Sequence, residues 1–291
     1  MTGGFFYFLI MSLNIAIQKS GRLYEESVQL LSECGLRISN AKGQLKAEVR
    51  DFDATIFFLR NSDIPKYLQD GVADVAIIGE NTLIEKQADV DIRFKLGFSK
   101  CRLSIALPKD NKGDDLNGKK IATSYPNSLR TYLDENNITA EIHKISGSVE
   151  IAPNIGLADA VCDLVSSGST LFSNGLEETD VVLRSEACLA ATHDLSQEKS
   201  ELLDQLLFRI RAVMKGRSHK YILMNVPNDK ISDVSKILPV LKSPTVLPLV
   251  TEGWSSLHSV ISENDFWGVI NKLKELGAEG ILVVPIEKMV V

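Results

Sequence analysis

Gly71-Val72-Ala73-Asp74-Val75-Ala76-Ile77-Ile78-Gly79 and Gly156-Leu157-Ala158-Asp159-Ala160-Val161-Cys162-Asp163-Leu164-Val165 decide the fold of this chain. In each, a G-x-A-D turn leads into a short, largely apolar run that reads as a buried strand, and a glycine-containing loop follows. The same unit of helix, turn, strand and loop recurs about 85 residues apart, so the sequence predicts two similar lobes with a cleft between them. The alternative is that G-x-A-D is simply a common helix-to-strand turn used twice.

Around these units, short apolar strands alternate with amphipathic helices from residue 13 to about 215, the pattern of α/β layers on a largely parallel sheet. Strands are expected at 13–17, 55–60, 74–78, 102–107, 120–123, 141–145, 161–165 and 187–191. The first helix has Ser20 as its expected cap, Leu23, Val28, Leu31 and Cys34 at helical spacing, and Gly35 as its stop. A second runs from Ser62 to Asp70 with Pro65 in its first turn. After Lys215-Gly216-Arg217-Ser218 the texture changes to strand, helix, strand, strand, helix, strand: βαββαβ in roughly 75 residues, the ferredoxin-like plan.

The 291 residues carry 32 Lys and Arg against 38 Asp and Glu, a net charge of −6. Such a chain has no overall field to hold nucleic acid or an anionic membrane, so an anionic ligand needs a local site. Cys34, Cys101, Cys162 and Cys188 include no C-x-x-C pair, which argues against a zinc site or a disulfide scaffold and for a reducing cytoplasm. His143, His193, His219 and His258 show no metal-ligand spacing, and no serine sits in a nucleophile elbow. Phe5 to Ile10 is the one greasy run near the start; without a preceding basic residue and far short of ~20 residues, it is expected to lie in an extension outside the fold.

Asp163-Leu164-Val165-Ser166-Ser167-Gly168-Ser169-Thr170-Leu171 is the strongest chemical signal. Three hydroxyl-bearing serines, a glycine and a threonine after a buried strand offer many backbone and hydroxyl donors to a phosphate, without the lysine of a Walker loop. Asp163 at the strand's end would repel phosphate but accept hydrogen bonds from sugar hydroxyls, so ribose phosphate fits both halves. A polar surface turn is the plain alternative. Glu150 reads either as an acid favouring the start of a helix, or as a second hydroxyl acceptor or a group that helps position magnesium. In Gln18-Lys19-Ser20-Gly21-Arg22, two cations open a helix against its dipole, which suggests an awaited anion; solvated surface charge is the other reading. Arg60, Gly79-Glu80-Asn81 and Thr123-Ser124-Tyr125-Pro126 follow strands at the edge where ligands of open sheets bind.

Taken together, Glu150-x5-Gly156-x2-Asp159-x3-Asp163 with the loop Ser166 to Leu171, Gln18 to Leu23, Asp70 to Asp74 with Ile78 to Asn81, and Ile121 to Pro126 resemble the ATP phosphoribosyltransferase family. So do Ser243-Pro244-Thr245-Val246-Leu247-Pro248-Leu249 and Val284 to Met289, which point to its long form. The resemblance spans residues 13–291 and implies the first reaction of histidine biosynthesis: N1 of the adenine of ATP attacks C1 of phosphoribosyl pyrophosphate (PRPP), releasing pyrophosphate. It implies a two-lobed catalytic region like type II periplasmic binding proteins and a C-terminal ferredoxin-like regulatory domain. The expected division is 1–12 outside the fold, 13–100 with 192–216 as lobe I, 101–191 as lobe II, and 217–291 as the regulatory domain.

By position, the resemblance assigns Ser166, Ser167, Gly168, Ser169 and Thr170 to the 5-phosphate of PRPP, and Asp163 and Glu150 to its ribose hydroxyls. Arg22, Lys19, Arg60 and Tyr125 are assigned to ATP and the pyrophosphate as catalytic groups, with Gly21, Asp74 and Glu80 beside ATP. Ser167 and Ser169 stand where many members carry threonine and alanine; backbone donors survive both changes. Magnesium is implied, held mainly by pyrophosphate oxygens and waters, with few carboxylates and no assigned metal ligand. Histidine is implied as an inhibitor at Leu241, Ser243 and Thr245, with exchange between dimer and hexamer. A non-catalytic two-lobed binding protein and a phosphoribosyl-metabolite sensor are the competing readings; the retained Asp163, Glu150, Arg22 and loop speak against lost activity.

Overall fold

The computed structural model describes residues 12–38, 44–111, 113, 115–238 and 243–290; the expected extension at the amino end lies outside the described residues, apart from Ser12. The chain forms two compact units, Met1–Asp204 and Gln205–Val291.

The first unit contains two sheets. The chain begins with β1 (Leu13–Gln18), α1 (Arg22–Glu33), β2 (Lys46–Glu48), β3 (Ala54–Leu59), α2 (Ile64–Gln69), β4 (Val75–Gly79), α3 (Glu80–Glu85) and β5 (Asp91–Lys95). It then crosses into β6 (Cys101–Pro108), β7 (Lys120–Thr123), α4 (Pro126–Glu135), β8 (Glu141–Lys144), β9 (Ala160–Val165), α5 (Ser169–Ser173) and β10 (Leu176–Ser185). It returns in β11 (Ala187–Ala191) and continues into α6 (Gln197–Arg217).

The six-stranded sheet has the order β2-β3-β1-β4-β11-β5 and the five-stranded sheet β10-β6-β9-β7-β8. Aligned on their central strands, β3-β1-β4-β11-β5 and β8-β7-β9-β6-β10 are one plan used twice: three parallel strands, then an antiparallel strand that has just crossed between lobes. The predicted two-lobed duplication is thus present in the topology. Strand β11, expected in the second lobe, instead pairs with β4 and β5 in the first sheet. Its wholly buried Ala-Cys-Leu-Ala-Ala fits the crossing slot beside β4; this return mixes the first sheet as antiparallel β6 and β10 mix the second, so neither is largely parallel.

The echoed aspartates explain why the units begin as they do. The Asp74 amide donates to the Asn14 carbonyl at 2.9 Å and its Oδ2 accepts from the Asn14 amide at 2.8 Å. Asp159 repeats both bonds with Lys120, at 2.8 and 2.7 Å. Each G-x-A-D therefore clamps the start of its lobe's third strand to the start of its first. Buried side chains fill in behind: Ala16, Ile64, Leu68, Ala76 and Ile78 in lobe I, and Leu103, Ile105, Ile121, Leu129 and Cys162 in lobe II. Each large aliphatic side chain so buried contributes about 1.5–3 kcal/mol.

Two local expectations change. Gly21 with φ 88°, not Ser20, precedes α1, and no side chain caps it. The helix does end at Gly35, whose φ of 84° lets the Leu36 amide reach the Leu31 carbonyl at 2.9 Å. Strands β2, β5 and β10 had no strong sequence signal, because β2 and β5 are short and largely exposed and β10 mixes acidic with apolar residues.

The second unit holds the rest of α6 and then β12 (His219–Pro227), α7 (Ile231–Ile237), β13 (Thr245–Pro248), β14 (Trp254–Ser262), α8 (Glu263–Glu275) and β15 (Glu279–Pro285). Its antiparallel order β13-β14-β12-β15 is the ferredoxin-like arrangement expected. Alternation in β12 and β14 buries Ile222, Met224, Val226, Leu257 and Ile261 against Val234, Leu238 and Leu273. The compact unit begins at Gln205, inside α6, rather than at 217.

Candidate active site

Parallel strands end together, so the carboxyl edge of each sheet gathers residues far apart in sequence. In the first lobe Gln18 pairs with Leu59, which sets Lys19 beside Arg60 at the ends of β1 and β3. Lys19, Gly21, Arg22 and Arg60 are exposed there, and Glu80 follows β4 at the same edge. Arg22 is tempered by Glu26, 3.8 Å from its Nε, and Glu80 by Lys95 at 3.1 Å.

The second lobe brings Tyr125, Glu150 and Ser166 to Thr170 to its own carboxyl edge, after β7, β8 and β9. Gly168 adopts φ 82°, and Ser167 and Ser169 share a hydroxyl contact of 3.0 Å over exposed loop residues. The first amides of α5 have no acceptor within the helix, so donors converge above the end of β9. Asp163 is half-buried; burial pushes its carboxyl up, the Leu164 amide at 2.8 Å opposes this, and nearby Glu150 adds to the rise. Glu150 itself sits in a 3-10 turn, Val149–Ile151, so no α-helix starts there and the helix-dipole reading loses its basis.

Tyr125 links the two edges. Burial first, then the charge of Asp163, hold its phenol far above the ordinary range, while the Asn81 side chain lies within hydrogen-bonding reach of it. Asn81 in turn accepts from Ser185 Oγ and donates its amide to the same oxygen, both at 2.9 Å. Gly79 is required by closeness: a Cβ there would stand 2.5 Å from Asn81 Oδ1.

One assigned residue belongs elsewhere. Asp74, expected beside ATP, lies at the amino end of β4, opposite the edge that carries Glu80. It is buried, bonded to Asn14, and paired with Lys199 at 2.8 Å, so its acceptors are spent on the fold. Conversely, residue patterns gave no sign of Arg102. Its guanidinium grips Glu178 through Nε and Nη2, both at 2.5 Å, and Nη1 reaches the Ser166 carbonyl at 3.4 Å, so it braces the serine loop from β6. Arg102 is the main cause holding the Glu178 carboxyl below its ordinary value. The pairing joins adjacent antiparallel strands 76 residues apart, which no local pattern marks.

Residues 60–212 match the family model described as ATP phosphoribosyltransferase, and residues 216–288 that described as HisG, C-terminal domain. A protein of Cytophaga hutchinsonii named ATP phosphoribosyltransferase is 59% identical over 96% of this chain and 98% of its own length. The chain belongs to the ATP phosphoribosyltransferase family. A namesake from Bacteroides fragilis is 53% identical over 96% of this chain and 100% of its own. The solved ATP phosphoribosyl transferase (HisG:HisZ) complex from Thermotoga maritima superposes with a TM-score of 0.59 at 30% identity, covering 68% of this chain and 98% of that one. As a member of the ATP phosphoribosyltransferase family, the chain is a phosphoribosyltransferase of the first step of histidine biosynthesis, and the non-catalytic readings fall away. No helix among the described residues is long and apolar enough to cross a membrane.

Proposed function

We propose that the two carboxyl edges divide the substrates of the transfer from PRPP to N1 of ATP. The 5-phosphate rests on Ser166, Ser167, Gly168, Ser169 and Thr170, and Asp163 with Glu150 accepts from the ribose hydroxyls. Lys19, Arg22 and Arg60 face the polyphosphates, with Gly21, Glu80 and Tyr125 beside ATP. The observation that carries this division is the pairing of a donor-rich, exposed loop with a half-buried carboxyl at the end of the same strand. Hydroxyl donors relieve the cost of keeping Asp163 charged there, whereas a phosphate would raise it.

In the reaction the adenine N1 lone pair forms the bond to C1 as the bond from C1 to the pyrophosphate oxygen breaks, with inversion. Little covalent work falls to the protein; alignment and stabilisation of the leaving charge carry the acceleration. The cations of the first lobe supply fixed positive charge for that departure. The donor set suits magnesium held chiefly by substrate oxygens: no cluster of three His, Cys, Asp or Glu occurs among the described residues, while Asp163 and Glu150 repel each other electrostatically. Those two carboxylates would be its nearest protein partners, and the ion would supply charge neutralisation on the pyrophosphate.

For regulation, histidine is proposed to bind at Ser243 and Thr245, which are exposed before and at the start of the edge strand β13; Leu241 lies outside the described residues. Exchange between dimer and hexamer would supply the two states that such control needs. A cytoplasmic setting suits four cysteines that form no disulfide.

Steady-state kinetics with ATP, PRPP and magnesium test the division. Asp163→Ala should raise KM for PRPP and leave KM for ATP nearly unchanged; the reverse pattern would overturn it. Ser243→Trp with Thr245→Trp should relieve inhibition by histidine with turnover retained, and inhibition at full strength would remove these residues from the regulatory site.

A further inference from the structure

Helix α4 starts at the carboxyl edge of the second lobe, immediately after Tyr125, and no side chain of its own lobe caps it. Such a helix start presents unpaired amides and partial positive charge. Here the first lobe covers it. Glu85, the last residue of α3 and a buried one, extends its carboxylate across the lobes. Its Oε1 accepts from the Asn127 amide at 3.2 Å, and its Oε2 from the Ser128 amide at 2.9 Å and Ser128 Oγ at 2.8 Å. Asn127 Nδ2 answers by donating to the Glu85 backbone carbonyl at 2.9 Å.

These four bonds join the end of α3 to the start of α4, and both helices adjoin site residues. At its start, α3 carries Glu80 and Asn81, and Asn81 is held by Ser185 where β10 hands the chain back to the first lobe. Directly before α4 stands Tyr125, within reach of Asn81. Charge-assisted bonds to a buried carboxylate are stronger than neutral ones and their loss strands desolvated amides. The contact is therefore stiff, and it sets where the edge bearing Tyr125 stands relative to the edge bearing Lys19, Arg22 and Arg60.

We propose that Glu85 is a positioning residue for the phosphoribosyl transfer, holding α4 against α3 so that the two carboxyl edges present their substrates at reacting distance. The inference rests on the reading that the substrates lie between those edges. Because the reaction relies on alignment, misplacement by about 1 Å costs on the order of 10²-fold in rate. The effect belongs chiefly in kcat, since the serine loop with Asp163 and the cations Lys19, Arg22 and Arg60 each stay intact within one lobe.

The test compares Glu85→Gln, Glu85→Ala and the double variant Glu85→Ala with Ser128→Asp. The added aspartate puts an acceptor on the third residue of α4, filling the vacated space and capping the helix without joining the lobes. Glu85→Ala is expected to lower kcat by roughly 10²-fold with both KM values within a few-fold, and to lower Tm. The double variant should regain Tm but not kcat; recovery of both would reduce Glu85 to a helix cap and overturn the proposal. Should Glu85→Ala fail to fold, Glu85→Gln keeps the volume and one acceptor, and a kcat equal to that of the parent protein would overturn it. Asp163→Ala is assayed alongside: unchanged PRPP use overturns the placement of substrates between the edges, whereas raised KM for PRPP with a silent Glu85 series overturns the latch alone.

Discussion

The two lobes share a strand order and an aspartate clamp but present opposite chemistry at their carboxyl edges. The first lobe exposes Lys19, Arg22 and Arg60; the second exposes hydroxyls and amides over half-buried acids, Asp163 and Glu150. Scaffold and chemistry are thus separable: the amino ends of the strands maintain the fold, and the loops at the carboxyl ends are free to differ. On the proposed placement, a chain of net charge −6 would accommodate phosphorylated substrates by confining its anion-binding groups to these edges.

The largest contrast should come from the clamps themselves. Asp74→Ala leaves Lys199 and the Asn14 amide without their buried partner and should cost about 3–5 kcal/mol of unfolding free energy. Asp159 is exposed and makes the same backbone bonds with no ion pair among the described residues, so Asp159→Ala should cost no more than about 1 kcal/mol. Chemical denaturation of both variants measures the difference. Equal losses, or a raised KM for ATP in a stable Asp74→Ala protein, would break the comparison.

Next comes Asp163→Asn, expected to lower kcat/KM for PRPP about 10²-fold, the worth of one or two hydrogen bonds to a charged acceptor. Stability should move the other way. Burial raises the Asp163 carboxyl in the folded protein, so between its ordinary value near 3.8 and the raised one the folded state binds more protons. Stability contributed at this position therefore falls as pH climbs through that window, and the asparagine variant is relieved of the penalty. A melting temperature for Asp163→Asn that drops below the parent's on going from pH 4 to 7 would contradict a burial penalty.

A smaller effect is expected at the brace. Arg102→Ala frees the Ser166 carbonyl and should raise KM for PRPP about tenfold, the equivalent of ~1.4 kcal/mol. KM for ATP, read from the other lobe, should hold. Because Arg102 keeps Glu178 below its ordinary 4.5, the brace is fully formed above that pH and weakens only as pH falls through the lowered value. Smallest is Gly168→Ala, where a φ of 82° strains any side chain by about 1 kcal/mol. Its cost should appear in PRPP binding; an equal cost to ATP binding would blur the division between the edges.

Much of the architecture could be read along the chain because it is written in local terms. Buried strands such as Val75 to Ile78 and Ala160 to Val165 are short apolar runs, and Gly35 stops α1 by a backbone conformation that few other residues adopt readily. The serine loop and its acid are contiguous for the same reason. Asp74 misled because an acid in a recurring turn beside a glycine loop reads alike whether it faces a ligand or a neighbouring amide. The expected strand 74–78 already put Asp74 at its amino end; the structure adds the partners, Asn14 and Lys199, that occupy it.

The sequence by itself determined the two α/β lobes, the ferredoxin-like unit, the serine-rich loop after β9 and the family, since periodicity, turn chemistry and contiguous motifs are properties of neighbouring residues. The tertiary structure alone decided that β11 returns to the first sheet, that Arg102 grips Glu178 behind the loop, and that Glu85 caps a helix of the opposite lobe. Each of those depends on partners 42 to 116 residues apart. Their pairing is set by how strands and helices pack, and a carboxylate in the sequence carries no mark of the amide it will meet.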